Sequence, residues 1–296
     1  MQPRTYGLLL VTVATVMWSS AGLFVRMLDL DVWTTLGWRS VFGGLTLVII
    51  SLFGRRAKAP TAAIPYGMYA LLGLFSALSM FGYIASLKLT TVANVLSIYA
   101  TVPFIAAGLA YLLMGERVER RVLIASAVAF VGVLIVAGFS ARLTDLAGNS
   151  LAFLMTVTFS ILLVMARKHP SLRMAPVNAI GSGLCVLLCL PLMSHALPSL
   201  PELGILVVFG STTSGLAYLL YLTGGRYIPS SEAGLIGLMD VVLGPLWVWL
   251  VFSEWPGGST IAGAGLILVA VFWYLWSGLR NSAARKAALL EADRAA

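Results

Sequence analysis

The sequence predicts an all-α integral membrane protein with ten transmembrane helices, arranged as two five-helix inverted repeats with both termini cytoplasmic. Composition is the first observation: of the 296 residues, 60% are hydrophobic and only 10% are charged. Soluble domains are about half apolar and roughly a quarter charged. Runs of about 20 apolar residues, enough to cross a bilayer as a helix, recur along the whole chain. These runs are continuous rather than alternating, which argues against a β-barrel.

The ten apolar runs follow one another with short connections, so no soluble domain is expected. The first run is long and has no convincing cleavage site, so we expect no secretory signal peptide. In chain order the predicted spans are 6–26, 33–53, 66–88, 93–114, 121–140, 148–166, 175–194, 201–223, 232–252 and 259–279.

Lysines and arginines predict the orientation, because they accumulate in cytoplasmic connections. With the N-terminus inside, fifteen of the nineteen fall in inner segments and three in outer loops, and Arg39 lies within a span. Residues 281–296 then form a basic cytoplasmic tail. We expect a multi-pass plasma membrane protein of the bacterial inner-membrane kind.

An internal repeat is predicted by weak matches between the two halves. Five spans per half would place residues 1–143 and 144–280 in opposite orientations, as in many transporters. One constant shift, which we call the first repeat alignment, pairs Tyr83 with Tyr221, Lys88 with Arg226 and Glu116 with Glu254. A slightly longer shift, the second repeat alignment, pairs Thr15, Ser19 and Arg26 with Thr156, Ser160 and Arg167.

Polar side chains at helical spacing mark one face of several spans. The stripes fall on spans that the repeat makes equivalent, one with six and three with eight, as a polar passage between the halves requires. Small and hydroxyl residues also serve close helix packing, which is the alternative. The predicted substrate-binding residues are Trp18, Ser19, Ser79, Tyr83, Tyr99, Ser214, Tyr218 and Tyr221.

Two charges and two prolines inside spans are the predicted coupling or gating residues. Intramembrane charges are costly and face a cavity or a partner. Asp240 is the candidate for proton titration or amine binding, with a structural acceptor as the alternative. Arg39 lies toward the outer mouth, or is a structural arginine. Pro103 and Pro245 each deprive a carbonyl four residues earlier of its donor, which creates a hinge, an ammonium site or a simple kink.

Sequence motifs for catalysis or metal binding are lacking. There is no HExxH, CxxC or P-loop, and both histidines fall in loops. Cys185 and Cys189 are interpreted as small apolar residues. We therefore predict no enzyme activity, no metal site and no cofactor.

Three segments resemble the drug/metabolite transporter superfamily in its EamA-type branch. They are Trp18-Ser19-Ser20, Arg39 within GWRSVFGG (37–44), and 101–118, where Pro103 and Gly115-Glu116 match the branch's proline-to-GE pattern. The second copy, 239–254, departs from that pattern, with Asp240-Val241 where the proline is usual and Ser253 in place of glycine. Within the branch the chain looks most like the YddG type of aromatic-amino-acid exporters.

The resemblance implies a secondary transporter that exports small metabolites, most simply aromatic and other neutral amino acids, by alternating access through a cavity between the repeats. The alternatives are a channel or lipid scramblase that uses the same groove, an exporter of drugs or nucleosides, or a membrane scaffold. The expected partners are a small-molecule substrate and the lipid bilayer, not nucleic acid. The oligomeric state stays open, and a monomer is compatible with the sequence.

Overall fold

The computed structural model describes residues 2–53, 64–137, 145–194, 196–253, 255 and 257–295, without the side chains of 93 and 278–295. All regular structure in these ranges is helical, and ten helical stretches are long and apolar enough to cross a membrane. This confirms the predicted all-helical class and the ten spans. Spans one to ten are Pro3–Arg26, Val32–Phe53, Tyr66–Leu89, Asn94–Met114, Arg120–Ala137, Leu146–Lys168, Met174–Leu192, Leu200–Gly224, Ser230–Phe252 and Gly258–Ser277.

Several spans are built from more than one helix. Span one divides into Pro3–Ser19 and Ala21–Arg26, and span seven ends in a short 3₁₀ turn, Leu190–Leu192, after the α-helix Met174–Cys189. Span eight contains a π-helical segment, Gly210–Ala217, between the α-helices Leu200–Phe209 and Tyr218–Gly224. The helix of span ten continues to Ala295, through the predicted tail.

Spans four and nine are interrupted in the same manner. The helices of span four are Val92–Tyr99, which begins two residues before the membrane-spanning stretch given above, and Val102–Met114. Those of span nine are Ser230–Gly237 and Asp240–Phe252, so all four bounds correspond under the first repeat alignment. Pro103 follows the first interruption directly, because a proline ring is accommodated in the first turn of a helix but not in its interior. The second interruption occurs without a proline at the matching position, and Pro245 lies inside the helix Asp240–Phe252.

The same correspondence holds where these two spans end. Gly115 and Ser253 both adopt left-handed backbone conformations, with φ of 66° and 55°. Glycine is the default residue for such a turn because it lacks a Cβ. Ser253 therefore preserves the turn although it replaces the expected glycine. Glu254, the predicted counterpart of Glu116, lies outside the described residues.

Small residues form two close helix contacts that are related to each other. A β-carbon added at Gly43 of span two would lie 2.5 Å from the Cβ of Ser214 in span eight. One added at Gly181 of span seven would lie 2.5 Å from the Cβ of Ser76 in span three. The first repeat alignment pairs Gly43 with Gly181 and Ser76 with Ser214. Small residues thus allow the backbones to approach closely in both places.

The ion pairs among the described residues lie at one end of the bundle, which we call the N-terminal end. Arg4 Nη2 lies 3.0 Å from Glu232 Oε1, and Arg167 forms two 3.0 Å hydrogen bonds with the carboxylate of Glu116. Arg226 donates to the backbone carbonyls of Pro170 and Leu172. These contacts connect the ends of spans one, four, six, eight and nine. We call the opposite end the far end.

The outer surface of the bundle is strongly apolar. Leu52, Leu112 and Phe272 are 73%, 78% and 67% exposed, and many further leucines and valines are exposed with them. Such a surface is suited to lipid rather than to water. The chain is therefore a multi-pass membrane protein.

Gly181 and Gly183 provide a matched test of the packing, since they share one helix and only Gly181 faces another span. No atom lies within 4 Å of a β-carbon added at Gly183. We expect Gly181→Ala to lower the free energy of unfolding by about 1–3 kcal/mol, the usual cost of overpacking. Gly183→Ala should leave it unchanged or raise it by up to about 1 kcal/mol, because alanine favours a helix more than glycine does. Thermal unfolding in detergent measures both, and equal midpoints for the two variants would contradict the packing described here.

Candidate substrate cavity

A cavity of about 140 Å³ lies in the middle of the bundle. Most of its lining residues belong to spans one to four, in the half of each span that is nearer the far end. The other lining residues lie near the middle of their spans. The lining consists of Trp18, Ala21, Leu36, Arg39, Ser79, Met80, Tyr83, Leu96, Tyr99, Met155, Phe159, Ser214, Tyr218 and Asp240.

Eight of the twelve side chains selected from the sequence border this cavity. They are Trp18, Arg39, Ser79, Tyr83, Tyr99, Ser214, Tyr218 and Asp240. Ser19, Pro103, Tyr221 and Pro245 do not. The structure thus brings together both intramembrane charges and most of the predicted aromatic and hydroxyl groups, whereas their roles remain predictions.

Ser19 and Tyr221 are instead used in packing around the cavity. The Ser19 hydroxyl accepts a hydrogen bond from the indole Nε1 of Trp247 at 2.8 Å and donates to the Val16 carbonyl at 2.7 Å. Tyr221 is completely buried, and its hydroxyl donates to the Ala233 carbonyl at 2.7 Å. Both side chains therefore connect spans in this conformation.

The prolines also lie away from the cavity, each after the interruption of its own span. Pro103 is buried against span nine, where a β-carbon added at Gly234 would lie 3.1 Å from the Cα of Pro103. Pro245 lies one turn beyond Asp240 within its helix. Pro103 thus shapes the contact between spans four and nine.

The π-helical segment of span eight holds two of the cavity side chains through Thr213. The Thr213 carbonyl accepts a 2.8 Å hydrogen bond from the indole Nε1 of Trp18. Its hydroxyl accepts a 3.1 Å hydrogen bond from Nε of Arg39. π-Helical turns are frequent at functional sites. One fully buried residue therefore positions an aromatic ring from span one and the cation from span two.

Arg39 and Asp240 are the two charged groups of the lining. The Arg39 guanidinium carbon lies 4.8 Å from the centre of the Phe209 ring, a cation–π distance. Asp240 is the first residue of the helix Asp240–Phe252, where the helix dipole favours a negative charge. Among the described residues, the ion pairs do not include one between Arg39 and Asp240. Both charges therefore border the cavity without neutralising each other by contact.

Aromatic rings close the cavity toward the N-terminal end. Trp18, Phe159, Tyr218 and Tyr221 form one cluster, and the Trp18 and Tyr221 ring centres are 4.8 Å apart. The Tyr218 hydroxyl is buried and finds no hydrogen-bond partner among the described residues. The cluster continues into a fully buried apolar core that includes Val11, Ala14, Val102, Leu162, Leu222 and Ile228.

Several positions that line or support the cavity were missed by sequence reasoning. Leu36, Met80, Leu96, Met155 and Phe159 line the cavity but are ordinary apolar residues in an apolar chain. Thr213 neighbours the predicted stripe of span eight, but regular helical spacing does not place it beside Trp18 or Arg39. The predicted repeat offers a signal for Phe159, because the second repeat alignment pairs it with Trp18, and the two rings are in contact with centres 5.9 Å apart.

Across the described ranges, no cluster of three or more histidine, cysteine, aspartate or glutamate side chains that could bind a metal ion occurs. Cys185 and Cys189 are buried free thiols.

The sequence model of the EamA-like transporter family matches residues 5–138 and 146–276. A protein of Archaeoglobus fulgidus named as an uncharacterised transporter is 26% identical over 273 residues, which cover 90% of this chain and 95% of that protein. A protein of Rickettsia prowazekii named as an S-adenosylmethionine uptake transporter is 22% identical over 253 residues, which cover 83% and 84%.

The fold also resembles a solved crystal structure. The two chains superpose with a TM-score of 0.77 at 18% sequence identity, and the match covers 90% of this chain and 96% of the other. At this identity the likeness concerns the fold alone.

The role of Thr213 can be tested by two substitutions of similar size. Thr213→Val removes the hydroxyl that accepts from Arg39 but keeps the backbone carbonyl that accepts from Trp18. We expect it to lower the free energy of unfolding by about 1.5–3 kcal/mol, the usual contribution of a hydrogen bond to a charged group. Thr213→Ser should retain most of the wild-type value. Unfolding in detergent at low and high salt measures this, and equal stability of Thr213→Val and wild type would remove the assigned role.

Proposed function

The chain belongs to the EamA-like transporter family, and on this premise we propose that it is a secondary transporter for amino acids whose substrate binds in the central cavity. The protein is a membrane transporter, and its family is one of transporters rather than enzymes. The proposal therefore concerns the substrate and the mechanism.

The two charges of the cavity are the observation that carries the proposed substrate. A neutral amino acid has an ammonium and a carboxylate a few ångströms apart. Asp240 would bind the ammonium and Arg39 the carboxylate, through a guanidinium suited to paired hydrogen bonds with carboxylates. Two opposite charges that border one cavity without an ion pair between them favour a zwitterion over a purely cationic or anionic ligand.

The rest of the lining favours a substrate with an apolar or aromatic side chain. The charges are surrounded by aromatic rings and by two polarisable thioethers, contributed by Trp18, Tyr83, Tyr99, Phe159, Tyr218, Met80 and Met155. The Rickettsia relative is named for S-adenosylmethionine. That molecule carries the same ammonium and carboxylate on a larger body, so it belongs in any substrate panel.

Alternating access between two inverted five-helix repeats is the proposed mechanism. The matching bounds of spans four and nine, the paired contacts Gly43–Ser214 and Gly181–Ser76, and the two segments matched by the family model support repeats at 1–143 and 144–280. With the N-terminus cytoplasmic, as the lysines and arginines predict, the cavity lies toward the outside of a bacterial inner membrane. Net export is proposed with this orientation.

A channel or scramblase is the competing function. The aromatic cluster and the apolar core beneath the cavity favour a carrier, because they close one end of the pathway while the other half holds the charges. A channel would show neither saturation nor counterflow.

Transport into proteoliposomes tests the proposed function. We would measure uptake of labelled phenylalanine, threonine, methionine and S-adenosylmethionine, with and without internal unlabelled substrate and a pH gradient. Saturable uptake that internal substrate accelerates is expected for at least one amino acid. Comparison with phenethylamine and phenylpropionate, which each lack one charge, should show weaker competition by both. No uptake of any of the four by folded protein would overturn the proposed substrate class.

Asp240→Asn is the decisive single substitution for the coupling role. The amide cannot release a proton, and it carries no charge for the ammonium. We therefore expect transport to be lost, or its dependence on pH to be abolished, as measured by initial uptake rates across a pH series. Asp240→Glu, which keeps the charge, serves as the matched control. Unaltered transport and pH dependence in Asp240→Asn would exclude the assigned role.

A further inference from the structure

Two tyrosines that the first repeat alignment pairs differ sharply in their surroundings. Tyr83 of span three borders the cavity and is partly exposed. Tyr221 of span eight is completely buried on the N-terminal side of the cavity. Related residues thus occupy an open position in one half of the chain and a closed position in the other.

Gly237 allows Tyr221 to occupy its closed position. A β-carbon added at Gly237 would lie only 2.7 Å from the Tyr221 hydroxyl oxygen, whereas the next nearest atom, Cζ of the same ring, lies at 3.5 Å. The hydroxyl is fixed by its hydrogen bond to the Ala233 carbonyl, one turn earlier in the same helix as Gly237. The ring contacts both Trp18 and Phe159, with ring centres 4.8 and 5.6 Å away, and cannot swing away without losing these contacts.

We propose that Tyr221 and Gly237 form the closed gate of the substrate pathway at the N-terminal end, and that Tyr221 borders the substrate when this end opens. The inference rests on the proposed alternating access. It gives Tyr221, which lies outside the present cavity, the role that Tyr83 has in the conformation described here.

Residues that the first repeat alignment pairs indicate that the two ends of the pathway close unequally. The first repeat alignment pairs Tyr99 with Gly237, so the Tyr99 side chain fills the space into which Tyr83 would have to close. The same alignment pairs Val102 with Asp240, and Arg39 with Val177. The N-terminal end therefore closes tightly over small and apolar residues, whereas the far end retains both charges and cannot close in the same way.

Thiol labelling measures the gate without knowledge of the substrate. Ala217 is fully buried behind the aromatic cluster and is paired by the first repeat alignment with Ser79, which lines the cavity. Ala217→Cys is placed in full-length protein in which Cys185 and Cys189 are replaced by alanine. A membrane-impermeant cationic methanethiosulfonate is then applied from either side of oriented vesicles.

Gly237→Ala is expected to raise the labelling rate of the thiol introduced at position 217, from the N-terminal side, by about tenfold, as a shift of a two-state equilibrium. The matched control is Gly244→Ala on the same span, where the nearest atom to an added β-carbon is the Ser19 carbonyl oxygen at 3.9 Å. It should label like the parent. No difference between the two alanine variants would overturn the proposal.

Tyr221→Phe tests the same contact from its other side. Without the hydroxyl, the β-carbon added by Gly237→Ala no longer clashes with the ring, because Cζ lies at an ordinary contact distance. Gly237→Ala should therefore hardly change the labelling rate when Tyr221 is already replaced by phenylalanine. Independent, additive effects would contradict a gate made by this contact. If Gly237→Ala fails to fold, Tyr221→Phe alone tests the proposal. Loss of the hydrogen bond to the Ala233 carbonyl should raise the labelling rate at position 217, and an unchanged rate would overturn the proposal.

The labelling experiment tests the gate and the uptake experiment tests the substrate, so failure of one proposal can be distinguished from failure of the other. A labelling change without amino-acid transport would sustain the gate and overturn only the proposed substrate. Amino-acid transport with the introduced thiol protected in every variant would sustain the function and overturn the gate.

Discussion

A chain in a bilayer has to satisfy its backbone hydrogen bonds from within, and this constraint decides where the structure can be irregular. The interruptions of spans four and nine and the π-helical turn of span eight all lie inside the bundle, beside the cavity. Tyr99, Asp240 and Ser214 are located at these irregular segments. The cavity and these three departures from regular helix are therefore one feature, since polar groups released from a helix are tolerated only where protein or water can meet them.

The two halves reach the same backbone geometry with different residues. Span four is interrupted before a proline, whereas span nine is interrupted before Asp240-Val241. Gly115 and Ser253 end these spans in the same left-handed turn. Packing of each interrupted span against its neighbours is thus sufficient to keep the geometry where the local residue preference has changed. This freedom allows Asp240 to replace an apolar residue at the start of a helix without loss of the interruption.

The sequence predicted the features that depend on the local pattern of residues and missed those that depend on contacts between different spans. Apolar run length predicted all ten spans, and helical spacing with intramembrane charge selected eight side chains that border the cavity. The role of Thr213 arises from the wider π-helical turn, which no spacing rule anticipates. Phe159 and Met155 are indistinguishable by type from apolar residues that face lipid. Tyr221 was selected because it lies on the polar stripe of span eight. Its buried position depends on Gly237, which has no side chain in the space that the Tyr221 hydroxyl occupies.

The one-sided position of the cavity has an electrical consequence. In the proposed alternating access the cavity opens to the far side, and water in it would bring the potential of that side to the middle of the membrane, so that most of the transmembrane voltage would fall across the aromatic cluster and the apolar core beneath it. A net charge that crosses this closed part of the pathway would traverse most of the field, about 2.3 kcal/mol per elementary charge at about 100 mV. A zwitterion crosses without that cost, whereas a proton carried with it would couple transport directly to the membrane potential.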